Sequence, residues 1–300
     1  MTLGHAPGLA GTIAVVVSAR DEMPGRAAAD GTFGDGQPGW LGGLDHVRNV
    51  VRQELISRQL DKHLPEPPAR VLDVGAGQGT QSIRLARLGY QVLAVEPDPE
   101  MRAIFQAALS AEGAEVAERV TLRAGSVMDL EAAAFGQIFD TVLLLGVLMY
   151  LPASQPVIAG LAARVAPGGF LAVAARTVTS ALWRPAARQD WPAALAAFDE
   201  YDRARAEGRD MRYVNEIGAP ARADDLDALT TVAAGYGLRL EHWYGVRIAV
   251  DPDELDPPPP SDPRQLAALL DVEERLGAAD PYRQLGQLAH LILRKADTAA

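Results

Sequence analysis

Arg70-Val71-Leu72-Asp73-Val74-Gly75-Ala76-Gly77-Gln78-Gly79-Thr80 is the stretch that decides the fold. Its first five residues form the short apolar run of a strand buried on both faces. The glycines that follow let the backbone turn sharply and leave bare main chain against which a ligand can lie. From Thr80 the pattern predicts a helix over 80–88, capped by Gly89.

On either side of that turn, strand and helix alternate. A helix over 44–64 leads in, with Val47, Val50, Val51, Leu55 and Leu60 at helical spacing, and is closed by Pro65, Pro67 and Pro68. Strands are predicted at 70–74, 91–95, 120–124, 139–145 and 170–175, the last entered through Pro167-Gly168-Gly169. Helices are predicted at 80–88, 98–111 and 154–165. Such alternation calls for a parallel sheet covered by helices on both faces, an α/β doubly wound, Rossmann-like domain. After Arg176 it breaks. A charged helix over 191–208 covers one end of the sheet. It is followed by a helix over 224–234, a strand around 238–249, an extended surface connection over 251–263, a helix over 264–276 and a final strand over 287–293. Three regions result: a flexible tail over 1–39, the leading helix and ligand-binding half over 40–176, and lid helices with the carboxy-terminal half of the same domain over 177–300.

Composition narrows the function classes. The 300 residues are 48% hydrophobic and 22% charged, which excludes a disordered or fibrous chain. Cysteine is absent, which removes disulfides, thiolate metal sites and a Cys nucleophile. The five histidines show no ligand spacing, so no metal is expected. A formal charge of −11 excludes a generally basic nucleic-acid surface. No apolar run is long enough for a bilayer, and Ile13–Val17 lacks a preceding Lys or Arg, a poor signal peptide despite Val17-Ser18-Ala19. The expectation is a cytoplasmic protein with no membrane partner.

The glycine turn reads Gly-x-Gly-x-Gly, with Thr80 where a dinucleotide fingerprint has its last glycine. Asp73 stands just before the turn, where a carboxylate suits an ammonium group and repels a pyrophosphate. Glu96 ends the second strand, where an acid accepts both ribose hydroxyls. A pocket wanting a ribose and a cation but no phosphate fits S-adenosylmethionine. The alternatives are glycines that only make tight turns, and a nicotinamide enzyme.

The set Val71–Gly79, Glu96, Phe139-Asp140 and Pro167-Gly168-Gly169 resembles the class I S-adenosylmethionine-dependent methyltransferases, over residues 70–176. That resemblance implies a seven-stranded sheet with its last strand antiparallel, and a helical lid inserted after the fifth strand. Arg52-Gln53, Gly245-Val246-Arg247, Leu269-Leu270-Asp271-Val272-Glu273 and Asp280-Pro281-Tyr282 are most similar to the bacterial tRNA 5-carboxymethoxyuridine methyltransferases, over residues 44–295. By that likeness Arg52 holds the methionine carboxylate, Gly75, Ala76 and Gly77 lie against the cofactor, and Glu96 takes the ribose. Val127 and Met128 flank adenine beside Ser126, with Asp129 as the alternative polar partner. Leu145 stands where the relatives have histidine. Their basic run is here reduced to Arg209, Arg212 and Arg222, interrupted by Asp210 and Glu216, which weakens tRNA as a partner.

Methyl transfer is an in-line displacement in which the protein mainly aligns the two partners, so no catalytic residue is assigned. A carboxylate nucleophile needs no base but needs a cation, for which Arg247 is the candidate; a surface ion pair is its alternative. Arg247 would face away from Tyr244 on a regular strand unless Gly245 forms a bulge. A hydroxyl or amine nucleophile would bring in His242 and Tyr244 as weak base candidates. Tyr150 is a candidate substrate contact, and Trp183, Trp191 and Tyr201 are expected to bury the lid against the sheet. Three functions follow: methyl transfer to a small-molecule or carboxylate acceptor, methyl-ester formation on a tRNA wobble uridine, and a non-catalytic cofactor-binding subunit.

Overall fold

The computed structural model describes residues 46–134, 136–215, 220–250 and 257–297. The tail over 1–39 and residues 44–45, where the leading helix is predicted to start, lie outside them, as do residues 251–256 of the acidic connection. The leading helix α1 (Val47–Asp61) is followed by β1 (Arg70–Val74), α2 (Thr80–Arg87), β2 (Gln91–Glu96), α3 (Pro99–Ser110), α4 (Ala114–Ala117) and β3 (Val120–Ala124). Then come α5 (Leu130–Ala134), β4 (Phe139–Leu145), α6 (Ser154–Ala162) and β5 (Val165–Arg176). The predicted starts of β1, β3 and β4 coincide with those observed, because each follows a proline-rich or polar loop and opens an apolar run.

The seven-stranded sheet has the order β3-β2-β1-β4-β5-β9-β8, where β8 is Leu238–Val246 and β9 is Leu288–Lys295. Strands β1 to β5 are mutually parallel, and β9 runs antiparallel to both β5 and β8. The last strand is therefore antiparallel, and β8 runs in the same direction as β5. Alternate strand residues feed two cores. Val71, Ala172 and Ile292 pack with Val51, Leu55, Ile83 and Phe105 of α1, α2 and α3. Leu72, Leu171 and Leu291 pack with Ile158 and Leu161 of α6 and with Leu229 of α9 (Leu226–Gly235).

Three features depart from expectation. Strand β5 begins at Val165, and Pro167-Gly168-Gly169 bulges out of it instead of preceding it, with the register jumping between Phe139 and Thr141 of β4. The insertion after β5 is not purely helical. Between α8 (Trp191–Glu207) and α9 it carries a hairpin of β6 (Met211–Val214) and β7 (Pro220–Ala223). A further helix, α7 (Val178–Ala187), follows β5 directly, capped by Thr177, whose hydroxyl accepts from the Ser180 amide at 3.0 Å. Its β-branched start and internal Pro185 hide it from a periodicity reading. Among the lid aromatics, Trp183 donates to the Leu285 carbonyl and Tyr201 packs in the lid core, but Trp191 is 60% exposed at the first turn of α8. Helix α10 (Pro263–Ala278) packs on α1 and β8. No helix among the described residues is long and apolar enough to cross a membrane.

Candidate functional site

The turn between β1 and α2 sits at the carboxyl edge of the sheet, where open α/β sheets bind ligands. Gly75, Gly77 and Gly79 all adopt positive φ. A Cβ on Gly75 would lie 2.4 Å from a methyl of Val147, in the turn after β4, and one on Gly79 would lie 2.2 Å from the Phe105 ring. A Cβ on Gly77 would meet no atom within 4 Å. Two of the glycines are thus packed against protein, and the middle one faces open space.

Glu96 stands over that opening. One carboxylate oxygen accepts from the Gly77 amide at 2.8 Å and the other from the Asp98 amide at 2.9 Å, while the residue is buried. Burial pushes its carboxyl above the ordinary value, against the pull of those two amides. Each oxygen keeps a further lone pair, which two adjacent hydroxyls can satisfy.

Asp73 lies beneath the turn and accepts from the Ser82 hydroxyl at 2.6 Å. Burial pushes its carboxyl from 3.8 up to about 6; the Ser82 bond opposes the rise and the Glu96 charge adds to it. An acid raised in the folded state stabilises the fold in its protonated form. That contribution is complete below its unfolded value and is lost as pH climbs through about 6. Asp73→Asn is neutral throughout, so it is expected to gain about 3 kcal/mol over wild type near pH 8 and almost nothing below pH 4. Denaturant unfolding at the two pH values measures this; a variant less stable at the higher pH would refute the burial account.

The remaining cofactor candidates flank this centre. Arg52, buried on α1, donates to Asn49 at 2.8 Å, and its guanidinium lies 3.3 Å from where a Cβ on Gly146 would sit. It therefore reaches the turn after β4, beside the glycine loop. Ala76 donates its amide to Val95 and packs against the α1-side core. Ser126 accepts from the Met128 amide and contacts Asp129 at 3.2 Å, so the two alternative polar partners are bonded to each other. Val127 is buried, Met128 is 56% exposed and Leu145 is half-buried at the end of β4.

Tyr150 follows β4 at the same edge, and its hydroxyl accepts from Asn215 at 3.1 Å. Arg247 is buried just past the end of β8, also at this edge, and adopts a φ of +62. No bulge forms at Gly245 to realign it: the register shift falls between Leu240 and His242, and Gly245 packs against the Arg283 backbone. The left-handed turn at Arg247 redirects the chain instead. Sequence patterning missed what secures that turn: buried Glu273 of α10 accepts from the amides of Ile248, Ala249 and Val250 at 2.8, 2.8 and 3.0 Å. His242 and Tyr244 share a face, with ring centroids 4.3 Å apart, and His63 bonds the Tyr244 hydroxyl at 2.8 Å. Their strand lies three spacings from β4, about 14 Å away.

A cleft of about 390 Å³ lies elsewhere, between α7, α9 and β8, lined by Leu182, Leu226, Thr230 and Trp243 among others and by none of the glycine-loop residues. Among the described residues no group of three or more His, Cys, Asp or Glu is placed to hold a metal ion. A group bearing a ribose and two positive centres fits the glycine turn. Gly77 leaves room, Glu96 offers a buried acceptor pair, and the carboxylates of Asp73 and Glu96 make the turn electronegative.

Residues 71–169 match the family described as "Methyltransferase domain". A ubiquinone biosynthesis O-methyltransferase from Xanthomonas oryzae pv. oryzae is 37% identical over 134 residues, 44% of this chain and 52% of that protein. The chain thus spans about half the length of the curated relatives it matches. An S-adenosylmethionine-dependent methyltransferase from Methanosarcina mazei superposes with a TM-score of 0.52 at 15% identity, covering 80% of this chain and 98% of that one. A glycopeptide N-methyltransferase solved with S-adenosyl-L-homocysteine gives 0.50 at 15% identity, covering 82% and 89%. The fold is the one shared by these solved methyltransferases, and residues 71–169 match a methyltransferase domain.

Proposed function

We propose that the chain is an S-adenosylmethionine-dependent methyltransferase acting on a small-molecule acceptor that carries a carboxylate. The observation carrying this reading is Glu96, a buried carboxylate strung between the Gly77 and Asp98 amides at the one glycine of that turn with open space beside it. The O-methyltransferase relatives are consistent with transfer to oxygen.

When bound, the cofactor supplies an electrophilic methyl on a sulfonium. Glu96 would accept the ribose hydroxyls, Asp73 would face the ammonium end, and Arg52 would take the methionine carboxylate. Ser126, Val127, Met128 and Leu145 would border the adenine. Gly75 and Ala76 hold the main chain close, because Val147 packs over the first and the Val95 carbonyl accepts from both amides. On the acceptor side, Tyr150 and Arg247 stand at the same sheet edge. A guanidinium grips a carboxylate at two points, and a carboxylate is already ionised at neutral pH, so no base has to be placed. Alignment supplies the rate.

The arginines counted toward tRNA are used within the chain, which weighs against that substrate. Arg209 is held by Glu200 and Glu207, Arg212 donates to the Pro152 carbonyl, and Arg222 is fully buried.

Calorimetry of the full chain with S-adenosylmethionine and S-adenosyl-L-homocysteine tests the cofactor assignment. Saturable binding of both is expected, and no heat from either at high ligand concentration would reject it. A tritium-transfer assay against separated small-molecule and tRNA fractions tests the acceptor class. Label entering tRNA alone would replace it, and tight cofactor binding without transfer to any fraction would favour a non-catalytic subunit.

A further inference from the structure

The hairpin β6–β7 holds the loop after β4 through three side-chain donors. Arg222 donates to the Leu148 carbonyl at 3.3 Å, Asn215 to the Tyr150 hydroxyl at 3.1 Å and Arg212 to the Pro152 carbonyl at 3.0 Å. Every second residue of that loop is tied to the hairpin.

Arg222 is the unusual member. It is the largest fully buried side chain among the described residues. Its guanidinium pairs with Asp224 at 3.0 Å, itself only 2% exposed, and with Asp210 at 3.2 Å. Asp224 is in turn fixed to the end of β5: its amide donates to the Arg176 carbonyl at 2.8 Å, and its carbonyl accepts from the Val178 amide at 3.1 Å. Burying such a pair costs desolvation, and apolar side chains of similar volume in place of both partners often serve stability as well or better. What an apolar residue cannot supply is a directed donor to a backbone carbonyl. Here that donor joins the loop after β4 to the end of β5, neighbouring strand ends at the carboxyl edge of the sheet. The loop also carries Val147, which rests on Gly75, and Tyr150.

We propose that Arg222 is a positioning residue: through its bond to the Leu148 carbonyl it fixes the loop over 147–150, and so sets where the transferring methyl meets its acceptor. This rests on the methyl-transfer reading above. Arg222 touches neither cofactor nor acceptor and acts only through that loop.

The test uses the full chain, wild type and the variants Arg222→Met, Arg222→Lys and Asn215→Ala. S-adenosylmethionine labelled with carbon-13 at its methyl is titrated in and its resonance followed, with hydrogen exchange read over residues 147–151. Arg222→Met leaves buried Asp224 without its cation, so it is expected to melt well below wild type, yet to keep its S-adenosyl-L-homocysteine dissociation constant within about threefold at a temperature where it is folded. Its bound methyl resonance should move or broaden toward the free cofactor's, and exchange over 147–151 should quicken at least tenfold. Arg222→Lys, which keeps one donor, should recover part of both changes. A bound resonance and exchange rate unchanged in Arg222→Met would overturn the proposal. Should that variant not fold, Arg222→Lys and Asn215→Ala decide: shifts in both support it, and unchanged spectra in both overturn it. A wild-type chain that binds neither ligand would overturn the methyl-transfer reading and this proposal together; wild-type binding with unchanged variants would overturn this proposal alone.

Discussion

Gly79→Ala should destabilise the protein by roughly 3 to 5 kcal/mol, while Gly77→Ala, two residues earlier, should cost only about 1 kcal/mol. Both glycines have positive φ, so both alanines carry backbone strain. The difference lies in the surroundings. At Gly79 the new methyl would sit 2.2 Å from Phe105, a fully buried ring wedged between α3 and the α1-side core. That ring cannot yield without opening the core, because close-packed interiors hold no spare volume. At Gly77 the new methyl would meet no atom within 4 Å. The ranking reverses for the ligand. The Gly77 methyl would project into the space assigned to the cofactor, so S-adenosyl-L-homocysteine affinity should fall at least tenfold in a protein that remains well folded. Denaturant unfolding and calorimetry on the pair measure both quantities. A Gly77 variant with wild-type affinity would show that the opening is not where the cofactor lies.

Glu96→Ala should weaken cofactor binding by about 2 to 3 kcal/mol, close to a hundredfold. Two losses combine. The ribose would lose its acceptor, and the amides of Gly77 and Asp98 would lose the carboxylate that now spaces them. A buried amide left without a partner costs on the order of 1 kcal/mol or more, so the loop should also relax. Glu96→Gln separates the two effects. Its amide oxygen can still accept one of the bonds, so it should fall between Ala and wild type. Calorimetry on the three proteins checks the order, and an unchanged dissociation constant in Glu96→Ala would remove this residue from the site.

The sheet was legible because its signals are local. A short run such as Val71–Val74 or Val142–Leu144, bounded by turn residues, reads as a strand buried on both faces, and the glycines after Val74 read as a turn. Both elements of the proposed cofactor site, the turn and Glu96, sit at strand ends, so finding the strands found them. Pro167-Gly168-Gly169 misled for the same local reason: it reads as a boundary, yet β5 runs through it because pairing to β4 resumes on the far side. The hairpin β6–β7 gave no signal at all. Its strands are four residues each, and charged Arg212 and Arg222 stand inside them.

Order along the chain and the chemistry of each turn were enough to specify an α/β sheet with an electronegative glycine loop at its carboxyl edge, since both follow from steric and solvation preferences acting over a few residues. The fate of each arginine was not so specified. By sequence Arg222 reads as surface charge, whereas the fold buries it against Asp224 and the Leu148 carbonyl. Arg247 reads as a strand residue of either face, whereas in the fold the Glu273 carboxylate holds the amides that follow it and fixes its turn. A charge takes its role from partners 74 residues away for Arg222 and Leu148, or 25 for Glu273 and Ile248, and only the folded chain brings such partners within hydrogen-bonding distance.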